Sequence, residues 1–179
     1  GGVFRHHDGA GVNAGAAAIV GNAGNHHVHV VAPILDAVVP DENLAPARPM
    51  NLDGGIVGVA SGRAEFGPRA LGNRSLLADP RGFTIKEQVN EIKRRQQFRP
   101  FAPVILEELA HQYFDMPRGW HHSRYMQSVA GCRNPDLFPA IVHRDGTSRV
   151  QTVPQDGSGI RQLLEKWFVI TGCPMLLNT

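Results

Sequence analysis

The chain has 179 residues, 42% of them hydrophobic and 19% charged, with a formal net charge of +2 at pH 7. These values suit a soluble globular protein with a sizeable core, and they exclude a chain that recruits a polyanion through bulk charge alone. The two cysteines lack metal-ligand spacing and exclude a disulfide framework, while no apolar run is long enough to span a bilayer. A cytoplasmic setting is the expectation.

Residues 1–50 are compositionally unusual, nearly all Gly, Ala, Val and Asn between Gly9 and Gly24. Asn13 to Val20 can form a short helix, Val28 to Val39 holds one strand, and Pro40 to Pro49 reads as a linker. His6, His7, His26, His27 and His29 have no accompanying carboxylate, so a histidine-rich surface is expected there and not a metal centre.

From Asp53 the character changes. Ile56 to Ala60 reads as a buried strand, and Leu76 to Ala78 as a second short apolar run. Thr84 is placed to cap a helix, with Glu87 as capping-box partner; Ile85, Val89 and Ile92 form its apolar stripe, and Lys86, Asn90 and Lys93 fall on or beside the polar side. That helix should end near Arg95, before Pro100. Val104 to Leu106 is the next strand candidate, Leu109 to Phe114 one or two helical turns, and Tyr125 to Val129 another strand. Ala140 to Val153 reads as a hairpin turning at Asp145-Gly146. Ser158 opens a last helix, with Leu163, Leu164, Trp167 and Phe168 as its core side; Gly172 stops it, and a final strand delivers Asn178 and Thr179. This order argues for an α/β or α+β fold with a mixed sheet.

Two stretches carry chemistry. Gly62-Arg63-Ala64-Glu65-Phe66-Gly67-Pro68-Arg69-Ala70-Leu71-Gly72-Asn73-Arg74-Ser75 combines glycines, which let backbone approach a ligand, with arginines, which match oxyanions through paired hydrogen bonds. Lys93-Arg94-Arg95-Gln96-Gln97-Phe98-Arg99-Pro100-Phe101-Ala102-Pro103 crowds cations at a helix end, and Arg99 sits in an apolar, proline-stiffened context that favours an anionic partner. Cations complementing a helix C-terminus, and a solvated Gly/Pro turn, are the plainer readings of each stretch alone. With Arg149 from the hairpin and Asn178 and Thr179 from the last strand, the candidate ligand set is Arg63, Arg69, Arg74, Lys93, Arg95, Arg99, Arg149, Asn178 and Thr179. Convergence of these groups would build a pocket for several phosphate-like oxygens, where charge neutralisation and positioning do most of the chemistry. Neither a Ser-His-Asp arrangement nor a Walker-type loop is present.

These motifs, with Asp145-Gly146-Thr147-Ser148-Arg149-Val150-Gln151-Thr152-Val153 and Leu176-Leu177-Asn178-Thr179, resemble the signature of the NodU/CmcH-type O-carbamoyltransferases. The resemblance runs from about Gly55 to Thr179. It implies a YrdC-like α/β domain over residues 51–179, with a twisted mixed sheet and flanking helices. Residues 1–50 would be the end of an actin/Hsp70-like domain and its linker. The family resemblance further implies that ATP and carbamoyl phosphate bind in the YrdC-like domain and yield a carbamoyl-adenylate. The carbamoyl group then passes to a hydroxyl of a small-molecule acceptor, such as a sugar or an antibiotic.

By the same resemblance, Lys93, Arg99 and Arg69 are the catalytic candidates. Arg63, Arg74, Arg95, Arg149, Asn178 and Thr179 are the binding ones. Magnesium would accompany ATP, and an iron-type ion would sit in a preceding domain outside this chain. Neither nucleic acid nor membrane is an expected partner, and a homodimer is left open. The family's Asn-Thr-Ser-Phe-Asn element breaks off here after Asn178-Thr179, so the chain is expected to be a fragment lacking part of its nucleotide site. Two other readings stand beside this one: a threonylcarbamoyl-adenylate synthase serving tRNA modification, and a non-catalytic RNA-binding module using the same cations.

Overall fold

The computed structural model describes residues 21–23, 26–30, 55–60, 63–120 and 122–179. The helix expected within 13–20, the linker over 40–49, and His6 and His7 lie outside the described residues. Among the described residues, nine strands form a mixed sheet: β1 (Gly21–Ala23), β2 (His26–Val30), β3 (Ile56–Ala60), β4 (Arg74–Ala78), β5 (Ala102–Leu106), β6 (Phe114–Asp115), β7 (Ser128–Cys132), β8 (Thr147–Val153) and β9 (Met175–Asn178). Their order across the sheet is β1-β2-β3-β4-β9-β5-β8-β7-β6. Pairing is parallel between β2 and β3 and between β5 and β8, and antiparallel elsewhere.

The central strands are apolar on both sides because helices cover both faces. Strand side chains alternate, so Ile56, Ile105, Met175 and Leu177 join one core cluster, while Val57, Val104 and Leu176 join the other. Helix α1 (Ile85–Ile92) closes the first through Ile85 and Val89. Helix α3 (Gly159–Thr171) closes the second through Leu164 and Trp167. The helical turn α2 (Ala110–Tyr113) contributes Ala110 to the first cluster.

Several local expectations need correction. Ala140 to His143 forms no strand, so the hairpin is absent, although the Asp145-Gly146 turn stands, with Gly146 at φ 78°. The antiparallel partner of β8 is β7, and its parallel partner is β5. The Thr84 side chain makes no capping hydrogen bond; its Oγ1 accepts instead from Gln88 Nε2 at 3.3 Å. Helix α1 ends at Ile92, and Arg94 takes a left-handed turn at φ 49°. Ser158 does cap α3, its Oγ accepting from the Arg161 N–H, and Gly172 ends the helix at φ 67°. Phe168 faces outward at 36% exposure, so the core side of α3 rests on Leu164 and Trp167.

Arg161 ties α3 to the loop after β5. It is 4% exposed and donates through both terminal nitrogens to Glu108 and through Nε to Glu165, and Nη1 also reaches the Val153 carbonyl. Its guanidinium holds the Glu108 carboxyl down at about 2, from 4.5. A carboxylate with a depressed folded-state pKa contributes stability above its unfolded value and loses it as pH falls through the folded one. Stability should therefore drop between about pH 4.5 and pH 2, and Glu108→Gln should flatten that part of the denaturation-midpoint curve.

Candidate functional site

Where β9 ends and β5 begins, the sheet opens into a cavity of about 430 Å³. Arg69, Arg74, Lys93, Arg95 and Arg149 line it, with Asn178 and Thr179 at its wall. They come from four separate parts of the chain: the Gly/Arg loop running into the first residue of β4, the loop after α1, strand β8 and the end of β9. Among the described residues, no carboxylate pairs with Arg69, Lys93, Arg95 or Arg149. Five cations facing one space repel one another and favour an anion between them.

The pKa directions agree with that crowding. Burial and the adjacent Arg95 push Lys93 below its usual value. Burial and the nearby Arg99 do the same to Arg95, and burial and Arg69 to Arg149. Each shift reports a partly desolvated cation beside another cation, and a bound anion would offset the repulsion.

Neutral groups hold these cations in place. Asn90, fully buried on α1, accepts from Arg95 Nε through Oδ1 at 2.6 Å and donates to the carbonyls of Gln97 and Arg99. Phe101 lies under the Arg95 guanidinium, 4.4 Å from ring centroid to Cζ. Lys93 Nζ donates to Thr179 Oγ1 at 3.0 Å, linking the loop after α1 to the end of β9. Across the cavity, Gln151 Nε2 donates to the Leu71 carbonyl and Asn178 Nδ2 to the Ala70 carbonyl, so the Gly/Arg loop is tied down onto the sheet.

Glu65 is the carboxylate that lines the cavity, and its Oε1 is occupied by the backbone N–H groups of Leu71, Asn73 and Arg74 at 2.9, 2.7 and 3.2 Å. Partial burial alone would raise its pKa, but these backbone donors bring it below the usual carboxylate value. The charge shapes the loop. Gly72 is the loop's tight point: at φ 123° an added Cβ would lie 2.7 Å from Ile160 Cβ of α3.

Seven of the nine sequence candidates therefore line one cavity. Arg63 and Arg99 do not. Arg63 is exposed, and its contribution is a carbonyl that accepts from Asn73 Nδ2. Arg99 is also exposed and not desolvated, because Phe98 beside it points outward at 78% exposure and gives it no apolar enclosure. Sequence reasoning missed Asn90, Gln151 and the organising role of Glu65. Asn90 stands next to Val89 at the margin of the apolar stripe, a position that in hindsight signals a buried amide.

A mixed α/β sheet thus carries, at its strand ends, a cavity lined by cations and one carboxylate, a composition suited to an oxyanion. The family described as "Carbamoyltransferase C-terminus" matches residues 50–179, and the chain belongs to that family. Over 131 residues it is 44% identical to nodulation protein NolNO of Sinorhizobium fredii, covering 71% of this chain and 19% of the relative. It is 40% identical to nodulation protein NolO of Bradyrhizobium diazoefficiens, over 81% of this chain and 27% of the relative. With nodulation protein U of Azorhizobium caulinodans the identity is 35%, over 98% of this chain and 33% of the relative. The chain thus spans between a fifth and a third of these relatives' length. Among the described residues no helix is long and apolar enough to cross a membrane, and no group of three His, Cys, Asp or Glu could hold a metal ion.

Glu65→Ala removes the shared acceptor of three loop amides. Hydrogen exchange at Leu71, Asn73 and Arg74 should accelerate by about tenfold or more, with α3 amides unchanged. Gly72→Ala should lower unfolding stability by about 1–3 kcal/mol, measured by chemical denaturation, because its Cβ overlaps Ile160.

Proposed function

We propose that this domain binds ATP and carbamoyl phosphate in the cationic cavity and forms a carbamoyl-adenylate there. The remainder of the protein then delivers the carbamoyl group to a hydroxyl of a small-molecule acceptor, which makes the whole an O-carbamoyltransferase. The observation that carries this reading is the convergence of Arg69, Arg74, Lys93, Arg95 and Arg149 on one cavity with a single lining carboxylate, Glu65, whose Oε1 already accepts from three loop amides. Membership of the carbamoyltransferase family supports it.

In balance, carbamoyl phosphate and water give carbamate and phosphate. A carbamate oxygen then attacks the α-phosphorus of ATP, forming the carbamoyl-adenylate and releasing pyrophosphate. Nothing in this sequence needs a protein nucleophile. It needs negative charge to be neutralised and two anions to be held in line, and fixed guanidinium groups in an enclosed site do both. Burial, and after it the nearby Arg69, lowers the Arg149 pKa, and the two neighbouring guanidinium groups suit oxygens of one phosphoryl group. Lys93 and Arg95 suit the next. Catalytic roles for Lys93 and Arg69, and binding roles for Arg74, Arg95, Arg149, Asn178 and Thr179, belong to this proposal. Arg99, outside the cavity, acts on it through Arg95.

Magnesium would arrive on the nucleotide's phosphates. Glu65 lines the cavity, but the loop amides occupy its Oε1, so it fits a loop-shaping role better than that of a metal ligand. The iron-type ion is assigned to a preceding domain, and no residue described here is proposed to hold it. A YrdC-like fold for residues 51–179, and an actin/Hsp70-like origin for residues 1–50, belong to the same proposal.

The test is carbamoyl-phosphate-dependent pyrophosphate release by the intact protein. Arg69→Ala and Arg149→Ala should each cost about 2–4 kcal/mol of transition-state stabilisation, roughly 30- to 900-fold in kcat/KM. Arg133→Ala, which breaks an exposed pair with Asp115 away from the cavity, should change it less than about threefold. Unchanged turnover in both cavity variants would contradict the reading.

A further inference from the structure

The Gly/Arg loop is fastened at its neck and not at its tip. At the neck, the Glu65 carboxylate accepts from the Leu71, Asn73 and Arg74 amides, and Asn73 Nδ2 donates to the Arg63 carbonyl. The Ala70 and Leu71 carbonyls are tied to Asn178 and Gln151 of the sheet. Between these ties lie Phe66, Gly67, Pro68 and Arg69. All four are exposed, and among the described residues none of the four has a hydrogen-bond or ion-pair partner. A segment with few contacts and no backbone hydrogen bonds moves at little cost.

The two glycines of the loop show the same division. Gly72 lies so close to α3 that an added Cβ would overlap Ile160. Gly67 stands clear at φ 125°, with nothing within 4 Å of an added Cβ. That backbone angle suits glycine and few other residues, so the tip has a turning point beside its stiff proline. Gly67, Pro68 and Arg69 nevertheless line the cavity. The tip overhangs the cavity without being fastened to it. Its Phe66 ring, between the lining residues Glu65 and Gly67, is 108% exposed, the barest large apolar side chain among the described residues. A ring left wholly in water at the mouth of a site has burial still to gain.

Charge gives the tip a reason to move. After burial, repulsion by Arg69 on the tip is the cause that lowers the pKa of Arg149 on β8. The two guanidinium groups push apart unless an anion lies between them, and an anion there draws both toward it.

We propose that residues 66–69 are a lid over the cavity: a phosphate-bearing anion draws Arg69 inward, the tip pivots at Gly67, and the Phe66 ring folds down across the mouth. Phe66 is a positioning residue that acts by keeping Arg69 on the anion. The inference rests on the reading of the cavity as a phosphate site and not on the chemistry done there.

The test compares the intact protein with its Phe66→Ala and Phe83→Ala variants. Both rings are exposed, so neither change removes core packing. Hydrogen exchange is followed at the amides of residues 66, 67 and 69 with Mg-ATP, with carbamoyl phosphate and with neither, while calorimetry measures binding of each. In the wild type, bound ligand should slow exchange at these amides by about tenfold or more, and the Leu71, Asn73 and Arg74 amides should change by less than about threefold. In Phe66→Ala the slowing should be lost. Stopped-flow release of N-methylanthraniloyl ATP should become about tenfold faster there, with the association rate within about threefold. Phe83→Ala should behave as wild type. Slowing with one ligand alone supports the lid and assigns its trigger to that ligand. Bound ligand without slowing at the tip overturns the proposal. So does slowing that persists in Phe66→Ala with unchanged release, because the amides would then be covered by direct contact with the ligand. If calorimetry detects binding of neither ligand, the functional reading fails, and the lid with it.

Discussion

The fold depends at this site on one electrostatic constraint: Arg69, Lys93, Arg95 and Arg149 share a cavity, and among the described residues no carboxylate pairs with any of the four. Such an arrangement opposes folding unless other interactions hold the side chains where they are. The structure meets that demand with neutral groups. Asn90 and the Phe101 ring hold Arg95, Thr179 holds Lys93, and the Gln151–Asn178 pair pins the backbone of the loop that carries Arg69. A carboxylate beside each guanidinium would cancel the positive field that the cavity presents. Uncharged supports fix position without cancelling charge.

Contrast Arg161 on the far face of the sheet. It is as enclosed as any cation among the described residues, yet it spends its donors on Glu108, Glu165 and the Val153 carbonyl. Its role is to join α3 to the loop after β5, and full pairing suits that role. The difference between paired Arg161 and unpaired Arg69 and Arg149 separates structure from function more sharply than burial does. Membership of the carbamoyltransferase family then gives the unpaired set a chemical context. The relatives it matches are about three to four times longer than this chain.

Local pattern exposed much of the fold. Apolar runs marked β3, β4, β5 and β9, and the Ser158 and Gly172 signals bracketed α3. Pairing was not legible. The Asp145-Gly146 turn suggested a hairpin, but Ala140 to His143 instead runs as turn and loop, and β8 finds its neighbours in β5 and β7. Turn chemistry reports what a chain can do locally, while strand partners are chosen by the whole core. The cationic part of the site was readable because arginine and glycine at that density have few other uses. Its supports were harder to see. Asn90 and Gln151 look like ordinary polar residues on a helix and a strand, and only tertiary contacts reveal that both are buried. Arg99 failed in the opposite direction: its apolar neighbours in sequence do not enclose it in space.

The central claim is that distant guanidinium groups meet around one bound anion. It is tested most directly by the crystal structure of the intact protein with a non-hydrolysable ATP analogue. The account predicts phosphate oxygens within hydrogen-bonding distance of Arg69, Lys93, Arg95 and Arg149, inside the cavity bounded by Asn178 and Thr179. An analogue bound elsewhere, with those four side chains making no contact to its phosphates, would contradict it.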